Sequence, residues 1–423
     1  MEMRKKFTIF TSTFVSIAYA LTKNHHRKLV LKEFKEPFVS LFLCTMGDLI
    51  TGIVMGVFIS NLKMLPALIV LIPGAIGMRG NIFATLGSRL GTYLHTGQIQ
   101  PNFKPGKILN QNISSSTVLT LLTSFYLGIL AALIAKAIGL KVSILDLLLI
   151  SVIAGLLSAV IMLLFSMLIA FFTYKHGWDP DNVTAPMITL IGDMVTLPLL
   201  FLSLNVVIKL GDMIKISLLL SFIILTLLTI PYSLSDKAKP YYRRIMREST
   251  PVLLACGFLG ILSGTILGGK VEGLIAIPGI LIMIPPFLED GGAMGGILAA
   301  RLSSALHLGA IKYEKKIPEE VLRLFLMLHI LGLIIFTLIG GFAYLVSKTF
   351  GITTLPLHMM IIVSIIAGEI LILIVNIITY NISIISFKKG IDPDNVTIPI
   401  ITSVMDIMGV ACLVLVLMLM RII

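Results

Sequence analysis

One fifteen-residue phrase is written twice in this chain. Residues 179–193 read Asp-Pro-Asp-Asn-Val-Thr-Ala-Pro-Met-Ile-Thr-Leu-Ile-Gly-Asp, and residues 392–406 read Asp-Pro-Asp-Asn-Val-Thr-Ile-Pro-Ile-Ile-Thr-Ser-Val-Met-Asp, 213 positions further on. Each copy opens an apolar stretch and carries an aspartate into its middle. A duplication of this kind restricts the fold to two equivalent halves, and it makes Asp193 and Asp406 a pair. A carboxylate inside an apolar span is costly and marks a functional site by default. The competing structural reading is a carboxylate that only hydrogen-bonds a neighbouring helix.

The apolar stretches read as membrane spans. Of the 423 residues 57% are hydrophobic and 13% charged. A soluble domain carries about 25% charged residues, so an all-α polytopic membrane protein is expected. Spans are expected at 38–60, 64–94, 117–138, 146–174, 184–208 and 214–231, then at 251–268, 273–307, 321–347, 356–386 and 396–420. A straight helix needs about 20 residues to cross ~30 Å of hydrocarbon. The segments 64–94 and 273–307 are longer than that and contain Pro and Gly, so each is expected to be a broken helix.

The net charge of +12 does not point to nucleic acid, because the basic residues sit in short loops between spans. With the N-terminus placed inside, 22 of the 33 Lys and Arg fall on cytoplasmic segments and eight on outer ones. That asymmetry orients the chain with its N-terminus cytoplasmic and its C-terminus outside. A multi-pass protein of the plasma (inner) membrane follows as the expectation.

The repeat reaches beyond the aspartates. Glu36 matches Glu248, Pro66 and Pro73 match Pro278 and Pro285, and Arg89-Leu90 matches Arg301-Leu302, all at an offset of 212. Each half then holds five spans, and the span at 214–231 is the extra crossing that sets both halves the same way up. The expected architecture is two parallel five-helix repeats joined by a linker transmembrane helix, about a pseudo-twofold axis along the membrane normal. Residues 1–37 form a basic cytoplasmic segment with an apolar, interfacial-helix-like stretch at 7–22. Residues 38–208 form the first repeat, 209–247 the linker helix and a basic loop, and 248–423 the second repeat. In such folds binding sites lie at the repeat interface near the midplane.

At 3.6 residues per turn, Asn182, Pro186 and Thr189 share a helix face with Asp193, and Asn395, Pro399 and Thr402 share one with Asp406. Counted from the helix starts near Asp181 and Asp394, each acid stands about 18 Å along, close to the midplane. Hard oxygen ligands suit Mg²⁺, Mn²⁺ or Ca²⁺. Mg²⁺ keeps several waters and takes one or two carboxylates, which fits this stripe best. Asp179, Asp181, Asp392 and Asp394 precede the helices, as N-caps or as acids at a cation entrance.

These residues resemble the membrane domain of the MgtE magnesium channels and transporters, in a fused two-repeat form similar to the animal solute-carrier magnesium transporters. The resemblance rests on Asp-Pro-Asp-Asn-Val-Thr-x-Pro with an Asp fourteen residues after the first, in both halves. With it go Pro73-Gly-Ala-Ile-Gly-Met-Arg-Gly-Asn81, Ser88-Arg89-Leu90 and Thr96-Gly97-Gln98-Ile99. It covers roughly residues 36–208 and 248–420. It implies an ion path between two five-helix units with Asp193 and Asp406 as central cation ligands. Asn182, Thr189, Asn395, Thr402 and Asn81 would line that path, and Asp179 and Asp392 would lie near the cytoplasmic mouth.

One departure stands out. The second half replaces Gly77-Met78-Arg79-Gly80-Asn81 with Glu289-Asp290-Gly291-Gly292-Ala293. Glu289 or Asp290 is expected either to pair with Arg79 across the interface or to add a ligand or coupling-ion site. Asp48 and Glu369 are further intramembrane acids without a repeated partner, their equivalents being Gly260 and Leu156. Cys44, Cys256 and Cys412 lie in apolar runs without metal spacing and read as buried thiols.

The expected function is divalent-cation transport, most of all of Mg²⁺, with Mn²⁺, Co²⁺ or Ca²⁺ as other cargo. The alternative within that class is Na⁺- or H⁺-coupled exchange. Outside it stand transport of another solute and an intramembrane Mg²⁺-dependent lipid-phosphate enzyme, which would leave the midplane acids unexplained. The expected partners are the bilayer and the metal ion, with the chain working as an internal pseudo-dimer.

Overall fold

The computed structural model describes residues 24–104, 106–176, 180–234, 239–307, 311, 317–389 and 393–423, with the backbone alone over stretches that include 24–33, 180–186 and 393–400. The interfacial segment expected at 7–22 lies outside the described residues. Among those described there is no strand. The helices are α1 (Asn24–Val57), α2 (Ile59–Met64), α3 (Leu68–His95), α4 (Lys107–Ala137), α5 (Ile144–Lys175), α6 (Pro180–Lys209) and α7 (Asp212–Leu234). There follow α8 (Pro240–Gly268), α9 (Val271–Ala276), α10 (Pro278–His307), α11 (Glu319–Thr349), α12 (Leu357–Lys388) and α13 (Pro393–Leu419). All but the short α2 and α9 are long and apolar enough to cross a membrane, which makes eleven spans. Six crossings separate α1 from α8, so equivalent helices run in the same direction. The extra crossing is α7.

Two expectations about the helices change. The broken segments do not break at Pro73 or at Pro285, both of which lie inside continuous helices. The chain turns instead at Leu65 (φ −137°, ψ 81°) and Ile277 (φ −127°, ψ 74°). Each of these precedes a proline, Pro66 or Pro278, whose ring drives the preceding residue out of the α region. The span expected to begin at 117 begins at Lys107. Its polar first turns look like a loop in the sequence, yet they bury Gln111, Asn112, Ser115 and Ser116. Gln111 Oε1 accepts from the N–H groups of Tyr241 (3.1 Å) and Tyr242 (3.3 Å) at the start of α8. Asn112 Oδ1 accepts from Arg89 Nε at 3.0 Å.

The halves exchange their first helices. α1 packs on α10 and α11 of the second half, and α8 packs on α3 and α4 of the first. The crossings are equivalent to the residue. A Cβ on Gly52 of α1 would collide with the main-chain oxygen of Ile282, and one on Gly264 of α8 would collide with that of Val70. One turn further, Gly56 and Gly268 lie against the side chains of Ile282 and Val70. Both pairs follow the small-xxx-small spacing that lets apolar helices approach backbone to backbone in lipid. The swap makes the two halves one packed body, with α10 held between α1 and α13 and α3 between α8 and α6. α7 stands apart, its apolar face mostly outward. Asp146 of α5 receives a 2.7 Å bond from Lys215 of α7.

Candidate functional site

The fifth helix of each half carries its aspartate midway along, pressed against the long helix after the break. Gly80 of α3 faces Thr189 of α6, where an added Cβ would meet Thr189 Cγ2 at 3.2 Å. The equivalent Gly292 of α10 faces Thr402 of α13 at 3.7 Å. Gly192, beside Asp193, in turn approaches the Gly80 nitrogen. Glycine on the facing helix thus brings the Thr–Asp face of α6 and α13 close to the backbone of the broken pair.

Both aspartates are withdrawn from the surface, Asp193 fully and Asp406 partly. Their carboxyl groups lie within Coulombic range of one another, and Glu289 of α10 lies within range of both. Asp48 of α1 joins from the other side, within range of Asp193, Glu289 and Asp290. Neither oxygen of Asp48 meets a hydrogen-bond donor of the protein, and the hydroxyl of Thr51 one turn on is likewise unpartnered. Thr45, also on α1, donates to Asp290 Oδ2 at 2.5 Å. Ser263 of α8 donates to the main-chain oxygen of Asp406 at 2.9 Å, tying that helix to the site. The swap of first helices is what delivers Asp48 and Thr45 here. Among the described residues no three His, Cys, Asp or Glu side chains close tightly enough to cage a metal ion. The cluster is buried, acidic and built of hard oxygen donors, with the Cys44 thiol at its margin.

The expected pairing of Arg79 with Glu289 or Asp290 does not form. Arg79 is 1% exposed and points away from the acids, between α4 and α5, where its Nη2 donates to Ser124 Oγ at 2.7 Å in a notch opened by Gly155. Its Nε and Nη1 meet no protein acceptor. The second half fills the equivalent space with carbon: Phe336 stands where Ser124 does and packs on Gly368, the counterpart of Gly155. Arg79 and the Glu289-Asp290 pair therefore project to different sides of their helices.

The other expected site residues divide. Thr189 and Thr402 are at the α3 and α10 contacts, and Asn81 is partly buried just past Gly80. Asn182, Asp181, Asn395 and Asp394 lie in the first turns of α6 and α13, but their side chains are outside the description, as are Asp179 and Asp392 altogether. Glu369 is separate from the acid cluster. It binds His329 of α11, Nδ1 to Oε2 at 2.6 Å. The sequence reading passed over His329, Asn376 and Thr45, because each matters only through a partner on a distant helix.

A family model described as a divalent cation transporter, MgtE, matches residues 72–203 and again residues 284–416. The two matches cover most of the chain and begin and end at equivalent places in the two halves. The chain belongs to the MgtE family. As a member it is a divalent-cation transporter, not an enzyme, and the lipid-phosphate reading falls away. MgtE-type relatives include solute carrier family 41 member 3 of Rattus norvegicus, 24% identical over 431 residues, 93% of this chain and 89% of that protein. Solute carrier family 41 member 2 of Homo sapiens is 26% identical over 375 residues, 82% of this chain and 63% of that protein. No solved structure matches the chain.

Proposed function

We propose that this MgtE-type chain carries Mg²⁺ along the line between its halves, with Asp193 and Asp406 as central ligands and Glu289 beside them. The observation that carries this reading is the equivalent seating of the two Thr–Asp helix faces against glycine of the facing helix, one from each half, with the two carboxyl groups within electrostatic range. The family supplies divalent-cation transport, and the donor set supplies the choice of Mg²⁺. Acids that do not close into a cage suit an ion that sheds water reluctantly and takes one or two carboxylates. Thr189, Thr402, Asn182, Asn395 and Asn81 line the route, and Asp179, Asp181, Asp392 and Asp394 form its cytoplasmic mouth. Mn²⁺, Co²⁺ and Ca²⁺ are the competing cargo. The chain works as its own pseudo-dimer in the plasma membrane, N-terminus inside and C-terminus outside.

A second reading, exchange against Na⁺ or H⁺, is favoured by charge. Asp48, Asp193, Glu289, Asp290 and Asp406 sum to five negative charges when ionised, and the charges within their range are one another's. One Mg²⁺ brings two positive charges, and buried charge left unmatched costs several kcal/mol per ion. Both readings are tested by Mg²⁺ flux into proteoliposomes, for wild type and for Asp193→Asn with Asp406→Asn, in the presence of competing divalents. Loss of flux in a folded double variant supports the axial site. Unchanged flux would move the site to Asp48, Glu289 or Asp290, and equal wild-type flux with and without Na⁺ or H⁺ gradients would remove exchange.

A further inference from the structure

We propose that His329, Glu369 and Asn376 form a proton-binding site, present only in the second half, whose occupancy governs transport. This inference rests on the transport reading above. His329 Nδ1 stands 2.6 Å from Glu369 Oε2, and Asn376 Nδ2 stands 3.3 Å from His329 Nε2. Glu369 and Asn376 lie on one face of α12, two turns apart. Both are well inside the spanning length of that helix, as His329 is of α11. The first half has nothing comparable: the equivalent positions are Thr117, Leu156 and Leu163.

An ionisable pair at this depth needs a reason, because polar groups in the hydrocarbon are expensive. With a neutral imidazole and an ionised Glu369 the site carries one uncompensated negative charge. With one further proton it is a neutral imidazolium–carboxylate pair. The bonds provide for that proton. As built, Asn376 donates to Nε2, while its own Oδ1 and Glu369 Oε1 are buried without a partner. A proton arriving from water would form an N–H bond at Nε2. A half-turn of the Asn376 amide would then offer the unpartnered Oδ1 as its acceptor. Each side chain of the pair is 31% exposed, so neither is sealed inside the helix packing.

The charged groups on the packed helices leave this pair to itself. Arg301 of α10 reaches α11 at Met327 Sδ, 3.2 Å away and about 200° around the helix from His329. Glu289 and Asp290 of α10, Asp48 of α1 and Asp406 of α13 belong to the axial cluster. α12 nevertheless touches that cluster's scaffold. On its opposite face Leu371 packs on Gly291, next to Asp290, and on Gly409, one turn past Asp406. A change of charge on α12 therefore acts on two of the four helices that hold the axial acids, α10 and α13.

The test is the pH profile of Mg²⁺ flux, pH 5.5 to 8.5, for wild type and for His329→Thr with Glu369→Leu, which restores the first-half residues. The expected result is a several-fold change of wild-type flux across that range and a clearly smaller pH dependence, with retained flux, in the variant. An unaltered profile in the variant, or a flat one in wild type, would overturn the proposal. Histidine-labelled protein in nanodiscs gives a second readout that needs no flux. The His329 ring signals should respond to pH in wild type and respond differently in Glu369→Leu; ring signals that ignore pH in wild type, or respond alike in both, overturn it. Loss of all flux in wild type with an intact His329 pH response would instead count against the transport reading.

Discussion

Gly52→Ala and Gly264→Ala probe the helix exchange that assembles the site. The Cβ of Gly52→Ala would be driven into the main-chain oxygen of Ile282, and that of Gly264→Ala into that of Val70. Backbone cannot swing aside as a side-chain tip can, so α1 must back away from α10, and α8 from α3, by about 1 Å. A gap of 0.5–1 Å forfeits roughly a quarter to a half of each contact's dispersion energy, and overpacking costs ~1–3 kcal/mol. Gly341→Ala on α11 is the control, because its added Cβ meets nothing within 4 Å. Better helix propensity should leave it neutral or up to ~1 kcal/mol more stable. Melting in detergent, followed by size-exclusion of tagged protein, reads the difference. Each crossing variant should melt several degrees below wild type, and the control at or above it. Crossing variants that melt with the control would refute the exchanged packing.

Other substitutions test individual bonds. Gln111→Ala strips the acceptor from two N–H groups at the start of α8, and should cost ~0.5–2 kcal/mol, visible as faster hydrogen exchange over 240–245. Thr45→Val removes the donor to the buried Asp290 carboxyl and should cost ~1–3 kcal/mol, measured by the same melting assay. Lys215→Ala cuts the tie between α7 and α5; the pair is mostly buried, and taking the donor from Asp146 should cost ~1–3 kcal/mol. Mg²⁺ flux should survive that change, since α7 lies away from the acids.

Much of this architecture can be read from the sequence, for physical reasons. The duplicated Asp-Pro-Asp-Asn-Val-Thr phrase, the eleven apolar stretches and the single unmatched span leave little choice about repeat number and direction. The place of Asp193 and Asp406 midway along their helices follows from counting residues alone. The partners of the other acids do not follow. Arg79 corresponds to Gly291, directly after the Glu289-Asp290 replacement, but register does not say which side of a helix a long side chain leaves from. Here Gly155 opens a notch behind Arg79, and the acids turn toward α1. The exchange of α1 and α8 did leave a trace, in Gly52-xxx-Gly56 and Gly264-xxx-Gly268, though that spacing names no partner. His329 and Glu369 are 40 residues apart, and only the α11–α12 hairpin makes them neighbours.

The central claim is that one cation sits between the two halves at Asp193 and Asp406. Crystals grown with Mn²⁺ in place of Mg²⁺ would test it most directly through the anomalous signal. The account predicts a peak between the two carboxyl groups that disappears in Asp193→Asn with Asp406→Asn while the fold is unchanged. A strong peak confined to Asp48 and Asp290, or one that persists in the double variant, would contradict it.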